Sequence, residues 1–262
     1  MSEHLIYLYA ITDSPDVPPE TRALPIRTLF AVLTEVPAEE FSQEALEKNF
    51  RNLSWVERYA RKHESVMDAL MQRATVVPCR FPTLFYSEPS TAEFVEQNYD
   101  ALAALLEKLR NKEEWGIKMY AHPELFRDAI AKDPALQELD AQIATATQGK
   151  AFLLKKRRQE LLEERLLHHR QEAVQQALNR LQTFAVELKL NALLPKEVTE
   201  RNEEMILNAA LLIESAKTET FLEEVERLRA ELSAQGIYLE PSGAWAAYNF
   251  CRLPQPNKAN ML

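Results

Sequence analysis

The sequence predicts an α+β protein in two domains, a small N-terminal α/β domain and a C-terminal domain of ferredoxin-like β-α-β-β-α-β order with an enlarged helical insertion. Three observations carry this. Short apolar, β-branched runs alternate along the chain with long segments whose apolar residues recur every three or four positions. The polar stretch Asn111-Lys112-Glu113-Glu114 interrupts the pattern near the middle. After it, strand and helix signals follow in the ferredoxin-like order. The expected division is 1–112, then 113–240 with a long helix at about 150–182, then a tail at 241–262.

In the first half, His4 to Thr12 is apolar on both alternating sets, as in a strand covered on both faces. Pro15, Pro18 and Pro19 mark a loop, and Thr28 to Val36 is a second strand ended by Pro37. A short helix is expected around Gln43 to Phe50. A long one follows, with Ser54 and Glu57 as its capping box and Trp55, Val56, Tyr59, Ala60, Val66, Met67, Leu70 and Met71 on its inner face. His63 shares that face with no second ligand four residues on, so it reads as a hydrogen-bonded core or boundary histidine. Thr75 to Phe85, TVVPCRFPTLF, is a strand broken by Pro78 and Pro82, since proline donates nothing to a ladder. Ser90 and Glu93 are read as the cap of a single helix through Val95, Tyr99, Leu102, Leu106 and Leu109.

In the second half, Trp115 to Tyr120 alternates as a strand. Pro123 and Pro134 each open a short helix. Leu162, Leu166, Ala173, Ala177 and Leu181 form the seam of the long helix. Phe184 to Leu190 and Met205 to Ile213 are strands, Thr220 to Ser233 is a helix, and Gly236 sits where a left-handed cap belongs before the last strand, Ile237 to Glu240.

Composition excludes several functions. A net charge of −9 argues against general nucleic-acid binding and against adhesion to anionic membranes. No apolar run approaches the roughly 18 residues of a membrane span, and MSEHLIYLYAIT lacks the features of a signal peptide. Two cysteines, Cys79 and Cys251, have no metal or redox spacing, which points to a cytoplasmic protein with reduced thiols. The chain has four glycines, too scattered for a phosphate-cradling loop, so no nucleotide cofactor is expected. Lys155-Lys156-Arg157-Arg158 wraps around a helix beside Glu160, Glu163 and Glu164 and reads as a solvated surface rather than a nucleic-acid contact. His168 and His169 point about 100° apart on a helix and make a poor metal pair. No catalytic residue and no metal ligand stands out. Cys79 beside Arg80 is the one thiol-enzyme alternative, and a quiet buried cysteine is the simpler reading. The residues best suited to meeting a partner are Arg80 and Phe81 in the bracketed turn, and Trp245, Tyr248 and Phe250 in the aromatic tail. The simpler reading is packing, with Phe81 in the core, Arg80 snorkelling or paired with a carboxylate, and the tail aromatics packed back to lock the C-terminal domain.

The tail PSGAWAAYNF resembles the PSGPWPPYNF signature of the gas vesicle protein F/L family. Ile6-Tyr7-Leu8-Tyr9-Ala10 resembles that family's opening strand. His63-Glu64 through Thr75-Val76-Val77-Pro78-Cys79-Arg80-Phe81-Pro82-Thr83 resembles its HE…VLPVRFGT segment, and Gly149-Lys150-Ala151-Phe152-Leu153 its GKAYL start to a long helix. Pro82 stands at the usual glycine, and Ala244, Ala246 and Ala247 at the usual prolines. The resemblance implies two α/β domains, the second a modified ferredoxin-like one. It also implies an accessory or minor structural protein of gas vesicle formation and buoyancy, with no enzymatic activity and no cofactor. The implied partners are the small, very apolar shell protein and other gas vesicle accessory proteins, with no nucleic acid and no lipid membrane. The implied location is cytoplasmic and at the vesicle shell, on its gas-facing side. A transient chaperone of the shell protein that does not remain in the vesicle is the alternative.

Overall fold

The computed structural model describes residues 4–253 and divides into two compact units. One comprises the described residues up to Glu114 together with those from Ala244 onward, and the other is Trp115–Gly243.

The first unit is built on a sheet of β1 (His4–Thr12), β2 (Arg22–Ile26), β3 (Leu29–Pro37), β4 (Val76–Pro78) and β5 (Leu84–Phe85), in the order β2-β3-β1-β4 with β5 also on β1. Strand β1 is buried from Leu5 to Thr12, as its two apolar sets require. Antiparallel pairing with β3 runs from His4↔Pro37 to Thr12↔Phe30, with a register shift between Leu8 and Ala10. Strand β2, which contains Pro25, is not among the strands expected from the sequence. As an edge strand it tolerates the proline.

Helices α1 (Ala38–Phe41), α2 (Gln43–Asn49), α3 (Leu53–Met71), α4 (Glu88–Gln97) and α5 (Tyr99–Leu109) complete this unit. Helix α3 buries Trp55, His63, Val66, Met67 and Leu70. Its cap is Asn52, whose Oδ1 accepts from the Trp55 N–H at 3.3 Å, rather than Ser54. The expected helix capped at Ser90 starts earlier, at a Ser87–Ser90 capping box, and is two helices. They part at Asn98, whose side chain donates to the Phe94 carbonyl at 2.7 Å and so competes with the helical ladder.

The second unit contains β6 (Lys112–Ala121), α6 (Pro123–Ile130), α7 (Pro134–Thr145), α8 (Gln148–Leu181), β7 (Ala185–Leu190), α9 (Lys196–Thr199), β8 (Glu204–Glu214), α10 (Thr218–Ser233) and β9 (Ile237–Trp245), apart from the strand ends that belong to the first. The sheet order is β7-β8-β6-β9, which is second, third, first and fourth strand of the unit. That is the ferredoxin-like order, with α6, α7 and α8 filling the first crossover and α10 the second. The core joins Ile117 and Met119 of β6, Leu162, Leu166, Ala173, Ala177 and Leu181 of α8, the alternate residues Leu207, Ala209, Leu211 and Ile213 of β8, and Phe221, Val225 and Leu228 of α10. Gly236 has φ +72°, and a Cβ there would lie 2.7 Å from the Phe126 backbone nitrogen. Both facts require glycine at this turn. Strand β9 runs five residues past its expected end at Glu240.

Candidate functional site

The bracketed turn lies against the middle of β1. Strand β4 pairs Val76, Val77 and Pro78 with Thr12, Ile11 and Ala10, and β5 pairs Leu84 and Phe85 with Tyr7 and Ile6. Between them the chain bulges outward. The Cys79 N–H donates to the Tyr9 carbonyl at 2.9 Å, and the Leu8 N–H to the Thr83 carbonyl at 2.9 Å. The Thr83 hydroxyl closes the turn on the Arg80 carbonyl at 2.7 Å, and the Phe81–Pro82 peptide is cis. Two prolines therefore interrupt the strand without costing β1 its partners at these positions. Arg80 is exposed at the apex, Phe81 is half-buried, and Cys79 is fully buried.

Beneath Phe81 lies a cluster of aromatic rings. Its ring centroid is 6.1 Å from that of His63, 6.4 Å from Tyr7 and 6.5 Å from Trp55. His63 is 1% exposed and lies between two hydroxyls, Tyr7 Oη at 2.8 Å from Nδ1 and Tyr248 Oη at 2.9 Å from Nε2. The two contacts suit a neutral imidazole, which donates from one ring nitrogen and accepts at the other. Burial lowers the His63 pKa from 6.5 to about 4, the Cys79 carbonyl acting weakly the other way. Burial likewise pushes Tyr9 up to about 12, and the Tyr7 and Tyr248 hydroxyls and the Glu64 carboxyl upward. His63 is thus the hydrogen-bonded core histidine expected from its helix face.

Tyr248 belongs to the tail, and the tail packs inward. Ala246, Ala247 and Phe250 are 5%, 5% and 2% exposed. Alanine methyls thus fill buried positions where the resembling signature carries prolines. Asn249 is held at both ends by the buried Glu114, its backbone N–H reaching Oε2 at 2.8 Å and its Nδ2 reaching Oε1 at 2.6 Å. Lys108 Nζ donates to the Phe250 carbonyl at 3.4 Å and lies 6.0 Å from the centre of the Phe250 ring. Of the five residues suited to a partner, Arg80 and Trp245 are exposed, Phe81 and Tyr248 are half-buried in the aromatic cluster, and Phe250 is interior. Packing is the role the burial of Phe250 supports. Sequence reasoning missed Glu40, whose Oε2 accepts from Trp55 Nε1 and Tyr59 Oη, both at 2.9 Å, and from Arg58 at 3.1 Å. These bonds, Trp55 first, hold its carboxyl below the usual range. It also missed Glu114 and Glu64. Nothing in spacing marks a glutamate whose partners lie far along the chain.

The thiol-enzyme alternative fails on geometry. Cys79 is fully enclosed, and burial pushes its thiol far up, with Cys251 adding to the shift. A nucleophile needs the thiolate and an approach to it. Among the described residues no group of three His, Cys, Asp or Glu could hold a metal ion, and no helix is long and apolar enough to cross a membrane.

Over residues 5–252 the chain matches the family described as gas vesicle synthesis protein GvpL/GvpF. It is 26% identical over 279 residues to gas vesicle protein L of Streptomyces sp. strain CB03234, covering 97% of this chain and 95% of that one. It is 27% identical over 205 residues to gas vesicle protein L1 of Halobacterium salinarum, covering 76% and 72%. Its fold is similar to the crystal structure of gas vesicle protein GvpF from Anabaena sp. PCC7120, with a TM-score of 0.70 at 19% identity over 96% of this chain and 99% of that one. GvpF from Microcystis aeruginosa gives 0.66 at 20% identity over 95% and 99%. The chain therefore belongs to the GvpL/GvpF family of gas vesicle synthesis proteins.

Proposed function

We propose that the protein is a non-enzymatic accessory of gas vesicle formation that takes the small, very apolar shell protein onto an open sheet edge during assembly, and so serves buoyancy. The observation that carries this reading is the family match across residues 5–252. The physical case rests on the sheet edges. An unpaired strand edge offers a row of N–H and C=O groups to another extended chain. In the first unit the edges are blunted, since β2 contains Pro25 and β4 has three residues. In the second, β9 carries Pro241 and Gly243. Strand β7 has neither residue. Among the described residues its one strand partner is β8, paired from Ala185↔Ile213 to Leu190↔Ala209, with an irregularity between Ala185 and Glu187. Val186 and Leu190 on it are 52% and 62% exposed, and Leu193, Leu194 and Val198 just beyond are exposed as well. An apolar strand laid along β7 gains ladder bonds and covers these side chains, while the net charge of −9 keeps the complex soluble. Arg80, Phe81 and Trp245 remain further candidate contacts.

The test is co-purification of the shell protein with a tagged copy of this chain. The variant V186K/L190K is expected to reduce recovery of shell protein about tenfold, because charge on an edge strand blocks pairing. Both residues are exposed, so its circular dichroism is expected to match the wild type. Unchanged recovery would exclude β7 as the docking edge.

A further inference from the structure

The first third of α8 carries a surface that neither unit's core nor the proposed shell contact uses. Gln148 to Gln159, QGKAFLLKKRRQ, holds five cations and no carboxylate in a chain of net charge −9. Phe152 and Leu153 are 70% and 65% exposed on it. On a helix, residues three and four apart are neighbours. Phe152 is therefore flanked by Lys155 and Lys156, and Leu153 by Lys156 and Arg157. The inward-facing apolar residues are accounted for elsewhere, with Leu162 in the core and Leu161 packed against it.

The carboxylates near this run neutralise only part of it. Arg158 is paired with Asp140 of α7 at 2.5 Å. Glu163 serves Arg127 of α6. Glu160 lies 3.9 Å from Lys156, a loose and exposed pair worth little in water. Arg157 borders an open groove with Glu138, Glu160 and Glu164. Lys150 does not serve the helix either. It sits in the first turn, at the positive end of the macrodipole, and the cap residue Thr147 makes no side-chain bond there.

We propose that this segment is a docking surface for an acidic, amphipathic segment of a protein partner, distinct from the shell contact at β7 and independent of it. Two exposed apolar residues, each bracketed by cations one turn on, match a segment that places carboxylates around a small apolar stripe. A nucleic acid has nothing apolar to cover Phe152 and Leu153, and the net charge of the chain opposes it. An anionic lipid surface meets the same net charge, and two exposed apolar side chains fall short of the broad stripe an interfacial helix buries.

The experiment uses the full chain and a fluorescent synthetic helix of roughly 18 residues, about five turns, with leucine on one face and glutamate on the other. Controls are the same peptide with lysine for glutamate and one with its order scrambled. The acidic amphipathic peptide is expected to bind with salt-sensitive affinity, and both controls to bind more weakly. The variant K150E/K155E/K156E is expected to weaken binding about tenfold or more. Its K150E change puts a carboxylate three residues after the cap residue Thr147, the spacing of a capping box, which offsets the repulsion with Glu160 that K156E introduces, and unchanged circular dichroism is the check that α8 stays folded. F152S, which keeps the charges, is expected to weaken binding as well. Equal affinity for wild type and the charge-reversal variant would overturn the proposal. So would sedimentation with phosphatidylserine vesicles that the reversal abolishes while peptide binding persists. Self-association in the ultracentrifuge, lost on reversal, would overturn it in favour of a second copy of this chain.

Discussion

Replacing Phe250 by alanine is expected to destabilise the first unit by about 3–5 kcal/mol, the range for truncating a buried phenylalanine. The ring is 2% exposed, and the residues around it are tied to Glu114 and Lys108. Against a typical domain stability of about 5–15 kcal/mol this is a large fraction. Replacing Trp245, which is 41% exposed, is expected to cost less, about 1 kcal/mol. Urea unfolding resolves the two, with Trp55 in the first unit and Trp115 in the second as fluorescent reporters. A Phe250 variant as stable as the wild type would mean that the tail is not part of the first unit's core.

Acidification is expected to weaken the first unit through His63. Its pKa falls from 6.5 to about 4 on folding, so between those values the unfolded chain binds more protons. Stability then rises with pH across that window. The contribution is fully present above pH 6.5 and is lost as pH falls toward 4, a total of about 3 kcal/mol. The groups around the imidazole are Tyr7 and Tyr9 from β1, Phe81 and the Cys79 carbonyl from the turn, Tyr248 from the tail, and Glu64 on its own helix. Glu64, whose pKa is raised by burial, acts in the opposite direction as it protonates. Comparing wild type with His63→Gln by urea unfolding at pH 7, 5.5 and 4 isolates the histidine, because the carboxylates and the other histidines are present in both. The wild type is expected to lose about 3 kcal/mol more than the variant over that range. Parallel pH profiles would show that His63 is not held neutral by burial.

The second unit was largely legible in the sequence because its signals are local. Pro123, Pro134 and Gly236 punctuate it, and the seam Leu162, Leu166, Ala173, Ala177 and Leu181 is buried as its spacing requires. Three features of the first unit were not legible, each for its own reason. Strand β2 hides behind Pro25, which only an edge position tolerates. The break at Asn98 depends on one side chain choosing the Phe94 carbonyl over solvent. The return of the tail depends on contacts between residues far apart, Tyr248 with His63 and Asn249 with Glu114, which periodicity cannot reveal. The exposed apolar residues on β7 were equally invisible, since Val186 and Leu190 read as ordinary strand residues until the strand is known to lie at an edge.

In the function proposed above, the buried aromatic network and the edge of β7 have separate tasks. The first fixes the tail and the turn in place, and the second leaves one strand edge open to pairing. The most direct test is to delete this chain from a gas vesicle gene cluster and restore either the wild type or V186K/L190K at matched protein levels, then count vesicles by electron microscopy. The account predicts that the wild type restores vesicles and that the edge variant leaves few or none. Full restoration by the edge variant would contradict it.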